Sequence, residues 1–283
     1  MIKTLFLIPL LALQFQSVDK AFERGNDYHA CEQTLLEMLP QAENSTEKAN
    51  VLWRLARVEY VLGEAQTDKM KRREIFNRGV AYAEQGIQEN PREPQCYMWH
   101  CANVGRECQT HPLMEQAKAV PAITKDLTKV LNSLSPRLSE AWQALAELYY
   151  SHPLKSNDAA INFARTAALN VPAGEPRVIT HLYLIELLYE RNWSADKRAS
   201  QAADHSNKLE KMKGSANIDR YALADGMQQT LPWSSKSLGA MSDREEALAL
   251  AEYALSRYRA CQSPSVMDRN DFQSLQKWIQ KHK

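Results

Sequence analysis

The chain has 283 residues, of which 44% are hydrophobic and 24% are charged. Its formal net charge of +1 provides no global field that would attract nucleic acid or an acidic membrane surface. Glycine is scarce, and Ala, Leu, Glu, Gln and Lys dominate, so the composition favours an all-α fold in one large domain or two small ones.

The N-terminal segment has the pattern of a secretory signal peptide. A basic start, Met1–Lys3, precedes an apolar core over Thr4–Leu13 that is too short to span a bilayer comfortably. The cleavage region that follows is a poor small-x-small site, and a buried first helix is the alternative. We predict a signal peptide at 1–17 and a periplasmic or secreted protein that is peripheral to the membrane at most.

Residues 19–134 predict three helix–turn–helix units. Apolar residues recur at helical spacing between start and stop signals, such as Asn44 with Glu47 before one helix and Gly63 at its end. The predicted segments are a truncated unit over 19–39, a helix ending at Gly63 with a partner over 68–90, and a third unit pairing 94–108 with 114–134.

The fourth unit, 138–172, carries the clearest repeat signal. It reads W-x2-L-[small]-x2-Y, then A-x3-F, then P, which is close to the tetratricopeptide pattern. Large residues of this pattern share one face of each helix, and the small residue lets the second helix approach closely. The matching residues are Trp142, Leu145, Ala146, Tyr149, Ala159, Phe163 and Pro172.

The repeats are irregular, and a different segment follows them. The distance between equivalent prolines falls from 45 residues (91 to 136) to 36 (136 to 172). We predict an irregular TPR-like helix–turn–helix solenoid over 18–213, closed by a C-terminal helical cap over 214–283. The remaining predicted segments are helices over 181–188 and 195–213 as a fifth unit, a helix over 218–229, a loop over 231–239, and helices over 243–259 and 268–281.

Residues from about 19 to 213 resemble tetratricopeptide repeat (TPR) proteins. The stretch 52–57, with Tyr60, Gly63 and Lys69, and the stretches 90–91 and 99–101 resemble the regulator-of-microtubule-dynamics family. Residues 140–163 resemble that family and also the related periplasmic T-component of tripartite (TRAP) transporters. These resemblances imply a helical scaffold that binds a partner rather than a catalyst.

Stacked hairpins of this kind expose a concave groove built mainly from the first helix of each pair. Aromatic side chains beside Arg and Glu suit a binding surface, although helical-face aromatics such as Trp53, Tyr60 and Tyr150 also fill gaps between repeats. The predicted partner-binding residues are Trp53, Arg57, Tyr60, Met98, Gln143, Glu147, Tyr150, Leu182, Glu186 and Tyr189.

The five cysteines allow two further hypotheses. Cys96 and His100 lie one helical turn apart, and Cys108 is close to His111, but the spacing matches no closed zinc pattern. An exported protein could instead form one or two disulfides, with pairing left open. No glycine-rich phosphate loop or oriented nucleophile–base pair is found, so we predict no metal, no cofactor and no catalysis.

The sequence therefore predicts an exported scaffold that holds an unidentified protein or peptide in its groove and self-associates. It predicts no nucleic acid partner. The main alternative is a ligand-binding accessory component of a transporter, with a pocket near Tyr150, His152 and Trp193 for a hydrophobic or organic-acid ligand. A metal-dependent enzyme that uses the Cys and His residues is a weaker alternative.

Overall fold

The computed structural model describes residues 10–25, 27–151, 156–212 and 216–282, and the regular structure in those residues is entirely helical. The prediction of an all-α fold is confirmed. The chain divides into two compact units, Met1–Asp126 and Leu127–Lys283. The predicted boundaries after residues 17 and 213 fall inside these units and stay predictions. Among the described residues, no helix is both long and apolar enough to cross a membrane.

The first unit is a run of antiparallel helices. The α3 and α4 helices form a hairpin, α5 packs against both, and α2 packs against α3. The helices are α1 (Leu10–Arg24), α2 (Tyr28–Met38), α3 (Ser45–Ala65), α4 (Lys69–Glu89), α5 (Pro94–Cys108), α6 (Leu113–Gln116) and α7 (Val120–Lys129), and the division between the units falls within α7.

The first helix crosses the end of the predicted signal peptide without a break. Val18 and Phe22 are 4% and 5% exposed and belong to the hydrophobic core that α1 shares with α2 and α3. Phe15, on the other side of the predicted cleavage position, packs against the same core. Residues 1–9 of the predicted signal peptide lie outside the described residues.

The helix predicted over 114–134 is broken into shorter pieces. A short α6 and one 3₁₀ turn precede α7, and a π-helical turn over Val130–Leu134 ends the segment. Pro121 lies at the second position of α7. Its ring removes a backbone N–H, which is tolerated only in the first turn of a helix, so a continuous helix through this residue is disfavoured.

The second unit is built around the hairpin of the fourth repeat. The Trp142 and Phe163 rings stack at a centroid distance of 5.7 Å, and both side chains are fully buried. The helix α10 packs against the second helix of this hairpin. The helices are α8 (Ser139–Ser151), α9 (Asn157–Leu169), α10 (Val178–Arg191), α11 (Ala195–Lys211), α12 (Asn217–Tyr221), α13 (Asp243–Ala260) and α14 (Val266–His282).

The pairing of the predicted fifth unit differs from expectation. The main packing partner of α10 is α13, whereas α11 packs against the 3₁₀ turns at Ala224–Gly226 and Leu238–Ala240. The reason is that α11 has no apolar face to offer, since its buried residues are Arg198 and His205. The helix predicted over 218–229 is likewise limited to the five residues of α12 and a 3₁₀ turn.

Candidate partner-binding surfaces

The four predicted site residues of the first unit make extensive contacts inside that unit. The Arg57 guanidinium lies 2.6 Å from a carboxylate oxygen of Asp19 and 3.9 Å from the ring centroid of Phe22. The half-buried Trp53 ring lies 4.0 Å from the guanidinium carbon of Arg54. These contacts place α1 against the part of α3 where the sequence predicts a groove.

Asp19 is the residue that sequence reasoning missed in this area. Its carboxylate accepts hydrogen bonds from Arg54 and Arg57, which are 35 and 38 residues away along the chain. Burial alone would raise the pKa of Asp19, but the two guanidinium groups lower it below its usual value. The carboxylate therefore stays charged and compensates two buried cations, a contact that no local pattern indicates.

Tyr60 and Met98 are also used in packing. Tyr60 makes an edge-to-face contact with Trp99 at 5.7 Å, and its hydroxyl accepts a hydrogen bond from Arg106 at 3.1 Å. Met98 is 8% exposed. In the first unit, the predicted site residues thus lie among intramolecular partners.

The predicted site residues of the second unit lie on α8 and α10 in two different environments. Leu182 is 6% exposed, and Tyr189 packs edge to face against Trp278 of α14. Glu147 and Glu186 are exposed, as is part of the Tyr150 side chain. We define the acidic–aromatic surface as the exposed Glu147, Tyr150, Glu186 and Glu190 together with the half-buried Gln143 and Tyr183.

Hydrogen bonds link the members of the acidic–aromatic surface to one another. The Tyr150 hydroxyl donates to a carboxylate oxygen of Glu190 at 2.6 Å. The Gln143 side chain donates to Glu147 at 3.0 Å and accepts from the hydroxyl of Thr180 at 2.7 Å. These bonds hold polar side chains of α8 and α10 in defined positions at the surface.

The electrostatic environment of this surface is negative. The pKa of the Tyr183 phenol is raised, first by burial and then by Glu147, Tyr150, Glu186 and Glu190. Burial also raises the pKa of Glu186. Sequence reasoning missed Tyr183 and Glu190, although the spacing of Tyr183, Glu186 and Glu190 on one helical face was available as a signal.

A cavity of about 310 Å³ opens at the end of the acidic–aromatic surface. It coincides with the pocket expected near Tyr150 and Trp193, while His152 lies outside the described residues. The volume is at the lower end of the range of about 300–1,000 Å³ for small-molecule sites. The cavity is lined by Tyr150, Asn157, Asp158, Ile161, Leu187, Glu190, Arg191 and Trp193.

The Cys and His residues considered as metal ligands have other partners. The Cys96 thiol lies 3.7 Å from the carbonyl oxygen of Ala49, and burial raises its pKa to about 12. His100 hydrogen-bonds the carboxylate of Asp126. Within the described ranges, no group of three His, Cys, Asp or Glu residues is arranged to hold a metal ion.

The thiols also bear on the disulfide hypothesis. The structure has Cys31, Cys96, Cys108 and Cys261 as free thiols, and the first two are buried. Any pairing of these residues would therefore require a different arrangement from the one observed.

The fold and the surfaces define a helical protein of the repeat-like class. Residues 14–152 match the family model described as regulator of microtubule dynamics protein 1-3, and this segment spans most of α1 through α8. This part of the chain is therefore related to that helical repeat-like family. The match does not confirm the resemblance to tetratricopeptide proteins or to the transporter T-component. No curated protein matches the chain at a significant level.

Proposed function

We propose that this protein is a non-catalytic scaffold that binds a protein or peptide through the acidic–aromatic surface on α8 and α10. The observation that carries the proposal is the contrast between the two units. Trp53 and Arg57 are covered by intramolecular partners, whereas Glu147, Tyr150 and Glu186 are exposed beside a cavity. The match to a family named for the regulation of microtubule dynamics supports an interaction role.

The proposal is tested by crosslinking from the surface itself. A photo-crosslinking amino acid at position 147 or 186 is expected to capture the same molecule, and one at exposed Lys208 on α11 is expected not to. Adding Tyr150→Ala should reduce that capture at least tenfold, because the substitution removes an exposed aromatic side chain and its bond to Glu190.

The free energy of unfolding of Tyr150→Ala serves as the control. Because Tyr150 is 37% exposed and loses one hydrogen bond, we expect a loss of about 1 kcal/mol, which leaves the protein folded. Equal capture from position 208, or unchanged capture in the Tyr150→Ala protein, would contradict the assignment of this surface.

The second candidate function is a ligand-binding accessory component of a transporter. The cavity beside Tyr150 and Trp193 supports it, since a small organic molecule could enter there without a protein partner. Crosslinking separates the two proposals, because a scaffold captures a macromolecule from two positions of the surface, whereas a small-ligand protein captures none.

We also propose that the protein is exported and that cleavage follows residue 17. Cleavage there would remove Phe15, which lies 4.3 Å from the guanidinium of Arg54, but would keep Val18, Asp19 and Phe22 and their contacts. We therefore expect the mature protein to fold with a shortened α1. N-terminal sequencing of protein from the periplasm or medium tests this, and an intact Met1 would contradict it.

A further inference from the structure

We propose that the cavity beside Tyr150 accepts a Lys or Arg side chain, so that the partner presents a basic segment to the acidic–aromatic surface. The inference rests on the proposed function and deepens it by naming the chemistry of the partner. Four features carry it: the apolar wall of the cavity, the ion pairs of Arg191, the carboxylates of Glu190 and its neighbours on the acidic–aromatic surface, and the ring of Trp193.

The inner wall suits the aliphatic part of a long basic side chain. Ile161 and Leu187 are 2% and 5% exposed and face a cavity whose other lining includes Trp193. Lys and Arg place their methylene stems against apolar surface while the charged group stays near water or an acceptor. With about 310 Å³ available, one side chain fills this space better than a large organic ligand would.

Arg191 in the cavity wall already has its charge compensated. Arg191 donates two hydrogen bonds to Asp243, at 2.8 and 2.7 Å, and a third to Asp158 at 3.1 Å. Its guanidinium also lies 4.2 Å from the ring centroid of Trp193. Because its charge is balanced by two carboxylates, Arg191 offers little to an anion, and this argues against the organic-acid ligand of the alternative hypothesis.

The acidic–aromatic surface carries negative charge that no basic side chain among the described residues balances. Among the described residues, no Lys, Arg or His nitrogen lies within 4.0 Å of the carboxylates of Glu147, Glu186 and Glu190, and of the three Glu190 lines the cavity. Glu190 is held at the cavity mouth by the Tyr150 hydroxyl. A cation entering the cavity would therefore meet an oriented carboxylate, and charge-assisted hydrogen bonds of this type are the strong ones.

Trp193 shows that this region already accommodates cations. The ammonium nitrogen of Lys197 lies 4.1 Å from the centroid of its ring. Aromatic rings attract cations through their quadrupole, most strongly for Trp. Because Lys197 already lies against the Trp193 ring, a cation from the partner would bind at the side of the cavity lined by Tyr150 and Glu190.

The test uses the full chain and two fluorescein-labelled peptides, acetyl-(Gly-Arg)4-amide and acetyl-(Gly-Glu)4-amide, with binding read by fluorescence anisotropy in 0.1 M salt. We expect the basic peptide to bind at least tenfold more tightly than the acidic one. The Glu190→Gln substitution should weaken the basic peptide about tenfold, which corresponds to the loss of one charge-assisted hydrogen bond.

The matched control is Glu210→Gln, which removes the same charge from an exposed position near the end of α11. It should change the affinity less than twofold. Equal losses in the two variants, or equal binding of both peptides, would overturn the inference. If the partner captured by crosslinking still binds the Glu190→Gln protein at full strength, the charge assignment fails while the scaffold proposal stands; if nothing is captured, the scaffold proposal itself fails.

Discussion

Replacing Glu246 with alanine is expected to destabilise the second unit by about 3–5 kcal/mol, because it breaks a buried ion-pair network. Glu246 is fully buried, and its carboxylate accepts two hydrogen bonds from Arg165, at 2.9 and 3.0 Å, and one from Arg198 at 2.6 Å. Both arginines are buried, since Arg165 is 1% exposed and Arg198 is 5% exposed. Without the carboxylate, two cations would lose their shared partner in a site that excludes water.

The charge state of Glu246 supports this expectation. Burial would raise its pKa, but the charges and hydrogen bonds of Arg165 and Arg198 lower it below the usual value. The network extends further, since Arg198 also lies 3.4 Å from Asp243, which in turn binds Arg191. Removal of one central member therefore affects the packing of α9, α10, α11 and α13 together.

Urea unfolding of the full chain, with hydrogen exchange to read the second unit separately, measures this effect. Glu246→Gln keeps the shape of the side chain, so it separates the loss of charge from the loss of volume, and we expect it to retain most of the destabilisation. Exposed Glu210→Ala should change the free energy of unfolding by about 0.5 kcal/mol or less. A loss below about 1 kcal/mol for Glu246→Ala would show that the network contributes little.

The helices were predictable because their signals are local. The Asn44 side chain accepts from the backbone N–H of Glu47 at 3.0 Å, as its position before α3 indicates. Ser242 and Glu245 form the reciprocal hydrogen bonds of a capping box at the start of α13. In each case, residues three apart decide where the helix begins, so spacing alone is sufficient.

Helix pairing was less predictable because distant polar residues decide it. The fifth unit was expected to pair α10 with α11, yet Arg198 of α11 binds Glu246 of α13 across 48 residues. Arg165 and Glu246 are 81 residues apart. Charged residues so far apart in the sequence are normally interpreted as solvent-exposed. The buried ion-pair network of the second unit therefore could not be predicted from a local pattern.

The candidate site was likewise only partly predictable from the sequence. Tyr150 and Trp193 were expected near a pocket, and both line the cavity. Asp158 and Glu190 complete the lining from the starts and ends of other helices, where nothing in the local sequence marks them as neighbours of Tyr150. Composition and periodicity placed the helical faces, but only the packing of α8, α9, α10 and the turn after α10 brings these four residues together.

The second large effect is expected from the pH dependence of stability that Glu59 confers on the first unit. Glu59 is fully buried in α3 and accepts two hydrogen bonds from Arg78 of α4, at 3.0 and 2.8 Å. Burial raises its pKa to about 7; Arg78 opposes the shift, and the nearby carboxyl of Glu32 on α2 adds to it. The pKa of Tyr82 is also raised, first by burial and then by Glu59 and Glu32, and His29 lies 3.5 Å from Glu32.

The sign of the effect follows from the raised pKa. In the unfolded chain, Glu59 titrates near 4.5, so the folded protein binds the proton more tightly. The stability that this proton provides is fully present below pH 4.5 and is lost as pH rises through about 7. A shift of the Glu59 pKa from 4.5 to about 7 corresponds to about 3 kcal/mol.

The Glu59→Gln substitution tests this directly, because it keeps the shape of the protonated acid and cannot ionise. We expect the free energy of unfolding of the variant, relative to the parent protein, to rise by about 3 kcal/mol between pH 4.5 and pH 8. Arg78 loses its partner but has a 49% exposed side chain, so water can solvate it. Urea unfolding at four pH values measures the difference, with exposed Glu74→Gln as the control. A difference that stays constant with pH would show that the pKa of Glu59 is the same in the folded and the unfolded protein.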